Sequence, residues 1–257
     1  MKLAVNLNAV MSGHPMPDSL QRIKDCGYNA FEIWSWWDAA FDALHKEKKR
    51  LHMEAISLCT KFISLTDPAQ RDAYTAGLAE SIAAAKTINA PLLVSQIGAD
   101  TGAGFAAQRD SIVEGLRRSA PLLEEAGITL VVEPLNLRVD HAGYFLSASD
   151  DAFDIVNRVN SKNVKVLFDI YHQQITEGDI LRRIRQNIDL IGHFHAAGNP
   201  GRHELYNNEL DYGYIFAEIE KTGYDGYIAL EYIPVDPYEK GLTHALQLAQ
   251  AASCPHQ

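Results

Sequence analysis

The chain is poor in features that mark several protein classes. It holds three cysteines in 257 residues, Cys26, Cys59 and Cys254, an odd number with no CxxC spacing. Neither a disulfide framework nor a thiolate zinc site fits that pattern, and reduced thiols in a cytoplasm are expected. No apolar run approaches the roughly 20 residues of a membrane span. The first eight residues, MKLAVNLN, read as a strand without the layout of a signal peptide, so a soluble cytoplasmic protein is expected. Cations are in deficit: 23 Lys and Arg stand against 33 Asp and Glu, a formal net charge of −10. That balance disfavours a nucleic-acid partner, because phosphate affinity draws on clustered Lys and Arg. The one basic run, Lys46, Lys48, Lys49 and Arg50, shares its helical stretch with Glu47 and reads as a solvated face. The glycine-rich stretch 98–104 lacks both the Lys-Ser/Thr of a P-loop and a GxGxxG opening a helix, so it reads as a rim loop. No Pro/Ser-rich linker and no short repeat divides the chain.

What is present is a regular alternation. With 47% hydrophobic residues the chain can bury one sizeable core. Strand patterns at 2–8, 30–34, 54–59, 91–96, 128–133, 164–169, 190–195 and 227–231 alternate with helical stretches at 18–26, 38–51, 68–88, 108–126, 149–159, 177–187, 212–222 and 237–251. Asp38 is expected to cap the second of these helices, and Ser149 or Asp150 the fifth. Eight βα units in a row predict a single (β/α)8 TIM barrel spanning residues 1–257.

Within that alternation the stretch ITLVVEPLNLRVDHAGYFL, from Ile128 to Leu146, stands out. A buried β-branched run delivers Glu133 at its end and stops at once on Pro134. The event recurs in VKVLFD, ending on Asp169, in LIGHFH, ending on His195, and in YIALE, ending on Glu231, at intervals of 36, 26 and 36 residues. Each interval is near the roughly 30 residues of one barrel unit, which puts all four side chains on the C-terminal rim, where such barrels hold their active sites. Three carboxylates meeting there would repel without a positive charge among them, so Glu133, Asp169, His195 and Glu231 read as the cage of one divalent metal ion. Oxygen-rich ligands with one imidazole suit Mn2+ or Mg2+ first, then Co2+ or Zn2+. Glu133 and Glu231 are also placed to act as catalytic residues, one removing a proton and the other returning one to the neighbouring carbon.

Glu133-Pro134-Leu135-Asn136, the run from Asp140 to Leu146, Phe168-Asp169-Ile170-Tyr171-His172, Gly192-His193-Phe194-His195 and Asn199-Pro200-Gly201-Arg202-His203-Glu204 together resemble the hydroxypyruvate isomerase family, one of the xylose isomerase-like barrels related to the ketose 3-epimerases. The resemblance covers essentially the whole chain. It implies a metal-dependent isomerase in which the glutamates at 133 and 231 do the proton transfer, with hydroxypyruvate to tartronate semialdehyde as the reference conversion. It also implies that His172 and Arg202 bind substrate oxygens, and that such enzymes often form homo-oligomers. In hydroxypyruvate isomerases the ligand at position 195 can be a glutamine, and histidine is the form shared with the epimerases.

Further candidates come from position alone. Lys61, just beyond the third strand, is a candidate partner for a substrate carboxylate. Of Trp34, Trp36 and Trp37, one at most is expected to touch substrate, with Trp37 the choice. His193, two residues before His195, points to the same side one layer down and is expected as a support and not as a ligand. The DHAGYFL run, with His141 and Tyr144, is expected to shape the pocket. The leading reading is thus isomerisation of a small hydroxy-keto acid; a ketose 3-epimerase or other sugar isomerase, a metal-dependent endonuclease and a non-catalytic sugar-acid binder are the alternatives.

Overall fold

A computed structural model describes residues 1–38 and 40–253. Cys254 lies outside the described residues. Eight parallel strands, β1 (Lys2–Asn6), β2 (Ala30–Ile33), β3 (Glu54–Cys59), β4 (Leu92–Ser95), β5 (Thr129–Val132), β6 (Val164–Asp169), β7 (Ile191–Ala196) and β8 (Tyr227–Leu230), close into a barrel in chain order. The ring is completed by β1 pairing with β8, Lys2 opposite Tyr227. Around it run α1 (Leu7–Val10), α2 (Met16–Asp25), α3 (Phe41–Leu51), α4 (Arg71–Ile88), α5 (Phe105–Ala126), α6 (Ser149–Val159), α7 (Ile170–Thr176), α8 (Ile180–Asn187), α9 (Tyr212–Lys221) and α10 (Tyr238–Ser253). No described helix is long and apolar enough to cross a membrane.

The strands are buried on both faces, which is why they read as near-continuous apolar runs. Most of the core lies between barrel and helices, with Leu20, Phe31, Leu116, Phe168, Phe194, Phe216 and Leu242 all fully buried. Two smaller clusters stand apart from it: Ala4, Ala30, Ile56 and Ala229, and Cys59, Val94, Val131 and Leu167. Small residues suit a barrel layer with little room, and above them the same strands turn to polar residues.

The structure departs from the expected elements at their edges. The stretch after β6 folds into α7, with Asp169 as its cap: Asp169 Oδ1 accepts from the His172 backbone N–H at 3.1 Å. The expected 177–187 helix accordingly starts later, at Ile180. Asp38 does not cap α3; its Oδ1 accepts from Ala40 N at 2.9 Å and so shapes the turn ahead of the helix. Neither Ser149 nor Asp150 is the cap of α6, since Ala148 takes that place and the Ser149 N–H and hydroxyl go to Glu177. The basic run lies on α3, where Leu44 is the one buried side chain and Arg50 pairs with Glu47. In the 98–104 loop, Gly98 has φ +117°, and a Cβ there would meet Ser64 Oγ at 2.1 Å, so backbone angle and space both call for glycine.

Candidate metal centre and catalytic pocket

β5 and β8 each end one residue before a glutamate, β6 ends on Asp169, and β7 carries His195 as its next-to-last residue. Asp169 and His195 are direct neighbours in the β6–β7 register. Parallel register and strand-end position together therefore bring the four side chains to one point. His195 Nδ1 lies 3.3 Å from Glu231 Oε2, 3.5 Å from Glu133 Oε1 and 4.0 Å from Asp169 Oδ2. One ligand atom from each of the four falls within 4.8 Å of all the others, and all four residues are buried. Neither ring nitrogen of His195 meets an aligned hydrogen-bond partner, so the crowding of acids around it rests on charge alone. An imidazole nitrogen among three carboxylates is the donor set of a divalent cation, which would displace the proton from that nitrogen, and a span of 4.8 Å closes to the roughly 4 Å between opposite ligands of such an ion with small side-chain rotations. The residues present fit a metal.

The charges respond to one another. Burial pushes Glu231 up, but His195 and Arg202 outweigh it and bring its pKa down to about 2. At Asp169 burial prevails over Arg202 and His195, and its pKa is raised. Burial would lower His195, yet Glu32 and Glu231 hold it well above the usual range.

Arg202 is in the pocket. Its Nη2 pairs with Glu231 Oε2, and its guanidinium lies 5.5 Å from the centre of the Tyr171 ring. His172 is fully buried and has a defined tautomer. Asn136 Oδ1 accepts from the backbone N–H groups of Val139 and Asp140 at 3.0 and 3.2 Å, so its Nδ2 must face His172 Nδ1, 2.6 Å away, and Asp140 Oδ2, 2.7 Å away. With Nδ1 accepting, the ring proton sits on Nε2, which is buried, unpartnered and part of the pocket wall. Burial, reinforced by Arg202, lowers the His172 pKa to about 4, so the ring is neutral.

Two expected substrate contacts are elsewhere. Lys61 lies outside the pocket lining; its Nζ pairs with Glu80 on α4 and sits over the Trp36 ring. Trp37 packs edge-on against Trp36 and Phe62 at the surface. The tryptophan that enters is Trp34, whose Nε1–H donates to Glu231 Oε1 at 2.7 Å.

Glu133, His195 and Glu231 of the cage, with Arg202, His172, Trp34, Gln96 and His141, line a cavity of about 260 Å3 at the end of the barrel. It adjoins a wider groove of about 720 Å3 between the loops after β3, β4 and β5, which shares Phe62, Gln96 and His141 with it.

A sequence profile of the xylose isomerase-like TIM barrel family matches residues 20–251. Hydroxypyruvate isomerase of Escherichia coli is 33% identical over 177 residues, 68% of each chain. The chain is an enzyme of the hydroxypyruvate isomerase family of xylose isomerase-like barrels. Another relative of this family enzyme, 2-oxo-tetronate isomerase of Cupriavidus necator, is 43% identical over 126 residues, a match spanning about half of both chains, 49% and 48%. Among solved structures, one described as a family 2 AP endonuclease from Brucella melitensis superposes with a TM-score of 0.91 at 27% identity, over 96% of this chain and 99% of that one.

The site also holds residues that strand-end reasoning passes over. Glu32, on β2, is fully buried and 2.9 Å from His195 Nε2. Asn6, its register neighbour on β1, donates from Nδ2 to Glu32 Oε1 at 3.0 Å and to Glu231 Oε1 at 3.2 Å. The other end of the Asn6 amide is fixed as well, since its Oδ1 accepts from Ala9 N at 3.0 Å and caps α1. A charged residue inside an otherwise apolar strand is the signal that would have found Glu32, since an unpaired carboxylate costs several kcal/mol there.

Proposed function

We propose that this enzyme is a metal-dependent isomerase that interconverts the ketone and aldehyde forms of a small hydroxy-keto acid, hydroxypyruvate and tartronate semialdehyde being the type. The observation that carries this reading is the convergence of Glu133, Asp169 and Glu231 on His195 Nδ1 in a cavity of about 260 Å3, small by the standard of pockets for drug-sized ligands. Glu133, Asp169, His195 and Glu231 would hold the ion. A divalent cation there supplies Lewis acidity that polarises a carbonyl and acidifies the C–H beside it.

The chain's own groups do the rest. Glu133 and Glu231 are the proton carriers. One, ionised, takes the proton from the hydroxymethyl carbon; the C–H electron pair becomes the C=C bond of an enediolate as the carbonyl π pair moves onto its oxygen. The other, protonated, delivers its proton to the former carbonyl carbon, the hydroxyl proton passes from the first oxygen to the second to leave an aldehyde and a new hydroxyl, and the two carboxyls exchange protons with water before the next turnover. No electrons are gained or lost overall. Glu231, brought down to a pKa of about 2 by His195 and Arg202, is ionised at neutral pH. Trp34 and Asn6 donate to its Oε1 and fix the direction of its other oxygen. Arg202 spends two donors on Glu231 and keeps others of its five for a substrate carboxylate. His172 presents Nε2–H as a fixed donor to a substrate oxygen. Incubation with hydroxypyruvate and Mn2+ in D2O tests the reading: deuterium enters at the reacting carbon and the aldehyde appears, whereas no exchange and no aldehyde would remove this substrate.

The second reading, a ketose 3-epimerase or other sugar isomerase, keeps the same carboxylates and is favoured by the imidazole of His195 where a glutamine would serve the acid isomerases. Turnover of free fructose and tagatose against hydroxypyruvate separates the two, and the charge of Arg202 in the pocket supports the acid.

A further inference from the structure

Glu32 is a fully buried charge of the barrel that is not one of the four cage residues. Each of its oxygens has two neighbours. Oε1 accepts from Asn6 Nδ2 at 3.0 Å and lies 2.9 Å from His195 Nε2. Oε2 accepts from Ser57 Oγ at 2.8 Å and lies 3.0 Å from His193 Nε2. A carboxylate has about four acceptor sites; Asn6, Ser57 and His193 take three of them in aligned hydrogen bonds, and His195 Nε2 stands close to Oε1 without being aligned on it. Three strands, β1, β3 and β7, thus hold one side chain of β2.

From this geometry we propose that Glu32 is the positioning residue for His195: it holds the ring proton on Nε2 and thereby turns the Nδ1 lone pair toward Glu133, Asp169 and Glu231. The two edges of the ring differ in the way this requires. Nε2 lies 2.9 Å from one carboxylate oxygen, near enough for that charge to favour the ring proton on this side although the two are not aligned as a hydrogen bond, while Nδ1 stands 3.3 to 4.0 Å from three. If the proton sat on Nδ1, it would block the cage and leave Nε2 with its lone pair against the Glu32 carboxylate. A histidine that binds a metal through one nitrogen commonly gives its other N–H to a carboxylate, and losing that partner typically weakens metal binding.

Glu32, His193 and His195 also bring ligand atoms within 4.8 Å of one another, so a second ion at this level has to be weighed. Asn6 and Ser57 argue against it. Both point donor hydrogens at the oxygens an ion would need, and with both histidines also at those oxygens none is free. His193 is therefore a brace for Glu32 and not a ligand.

The inference rests on the cage holding a cation, and the test keeps the two claims apart. Mn2+ affinity and stoichiometry are measured for the wild type and for Glu32→Gln, and the His195 tautomer is read from ring nitrogen shifts in the Zn2+-loaded proteins. Expected are one Mn2+ per wild-type chain, binding weakened about 10- to 100-fold by the substitution, and an Nε2–H signature in the wild type that the variant loses. Equal affinity and an unchanged tautomer in Glu32→Gln would overturn the role of Glu32 and leave the cage intact. Two ions per wild-type chain would overturn it by placing a metal where the brace should be. Absence of any binding by the wild type would overturn the cage and this inference with it. Should Glu32→Gln fail to fold, Ser57→Ala, which removes one neutral donor from Glu32, takes its place: a loss of about two- to tenfold in affinity supports the role, and none contradicts it.

Discussion

The second half of the barrel and the first make opposite contributions to one site. From β5 to β8 come Glu133, Asp169, His195 and Glu231, all at strand ends and all pointing at a common centre. From β1 to β3 come Asn6, the last residue of β1, Glu32, next to last in β2, and Ser57 within β3, with Trp34 one step past β2. These touch the first group from behind: Asn6 and Trp34 hold Glu231, Glu32 holds His195, and Ser57 holds Glu32. In the proposed reaction one half carries the reacting groups and the other fixes their directions. The two kinds of residue should therefore fail differently when changed, the first in chemistry and the second in geometry.

The largest effect should follow from the proton carriers. Glu133→Gln and Glu231→Gln are each expected to lower turnover by about a thousandfold, within the range of acid–base catalysis, with folding intact by circular dichroism. A drop below tenfold in both would dissolve the distinction between the halves. Next comes Arg202→Lys, which keeps the charge and loses the planar fork. Steady-state kinetics should show kcat/KM for hydroxypyruvate falling about 10- to 100-fold and a neutral ketose affected much less; equal losses would mean that Arg202 serves only Glu231.

The pH dependence sharpens the contrast through His172. Its folded pKa of about 4 lies below the ordinary 6.5, so between those values the unfolded chain binds the proton and the folded one does not. Its contribution is complete above pH 6.5 and is lost as pH falls toward 4. Urea unfolding at pH 7 and pH 5 should show the wild type losing about 2 kcal/mol more than His172→Gln; identical losses would mean the ring is not held neutral.

The smallest effects test the two tryptophan and lysine assignments at the rim. Trp34→Phe should reduce kcat about tenfold by freeing Glu231. Lys61→Met should change kcat/KM less than about twofold and stability by about 0.5 kcal/mol or less, since its partner Glu80 is exposed.

This division also decides what the amino-acid order reveals. The barrel was legible because each apolar run is followed by a helical stretch, and the four cage residues because each closes its run, Glu133 emphatically so before Pro134. Helices α1 and α7 were not legible: Leu7–Val10 continues the apolar pattern of β1, and Ile170–Thr176 depends on Asp169 capping it, a second use for a residue already read as a ligand. Glu32 was hidden for the opposite reason to Glu133. It sits between Phe31 and Ile33 with no break after it, and its partners come from strands distant in the chain. Lys61 and Trp37 were read from their place just past a strand, but position there does not give direction: Lys61 turns outward to Glu80, and Trp37 packs edge-on against its neighbours while Trp34 turns in.

A crystal soaked in Mn2+ and measured at the manganese absorption edge tests the central claim most directly. The account predicts one anomalous peak per chain at about 2.1 Å from oxygens of Glu133, Asp169 and Glu231 and from His195 Nδ1, with Glu32 on the far edge of the ring. A peak between Glu32 and His193, or none while the Arg202 guanidinium fills the centre of the cage, would contradict it.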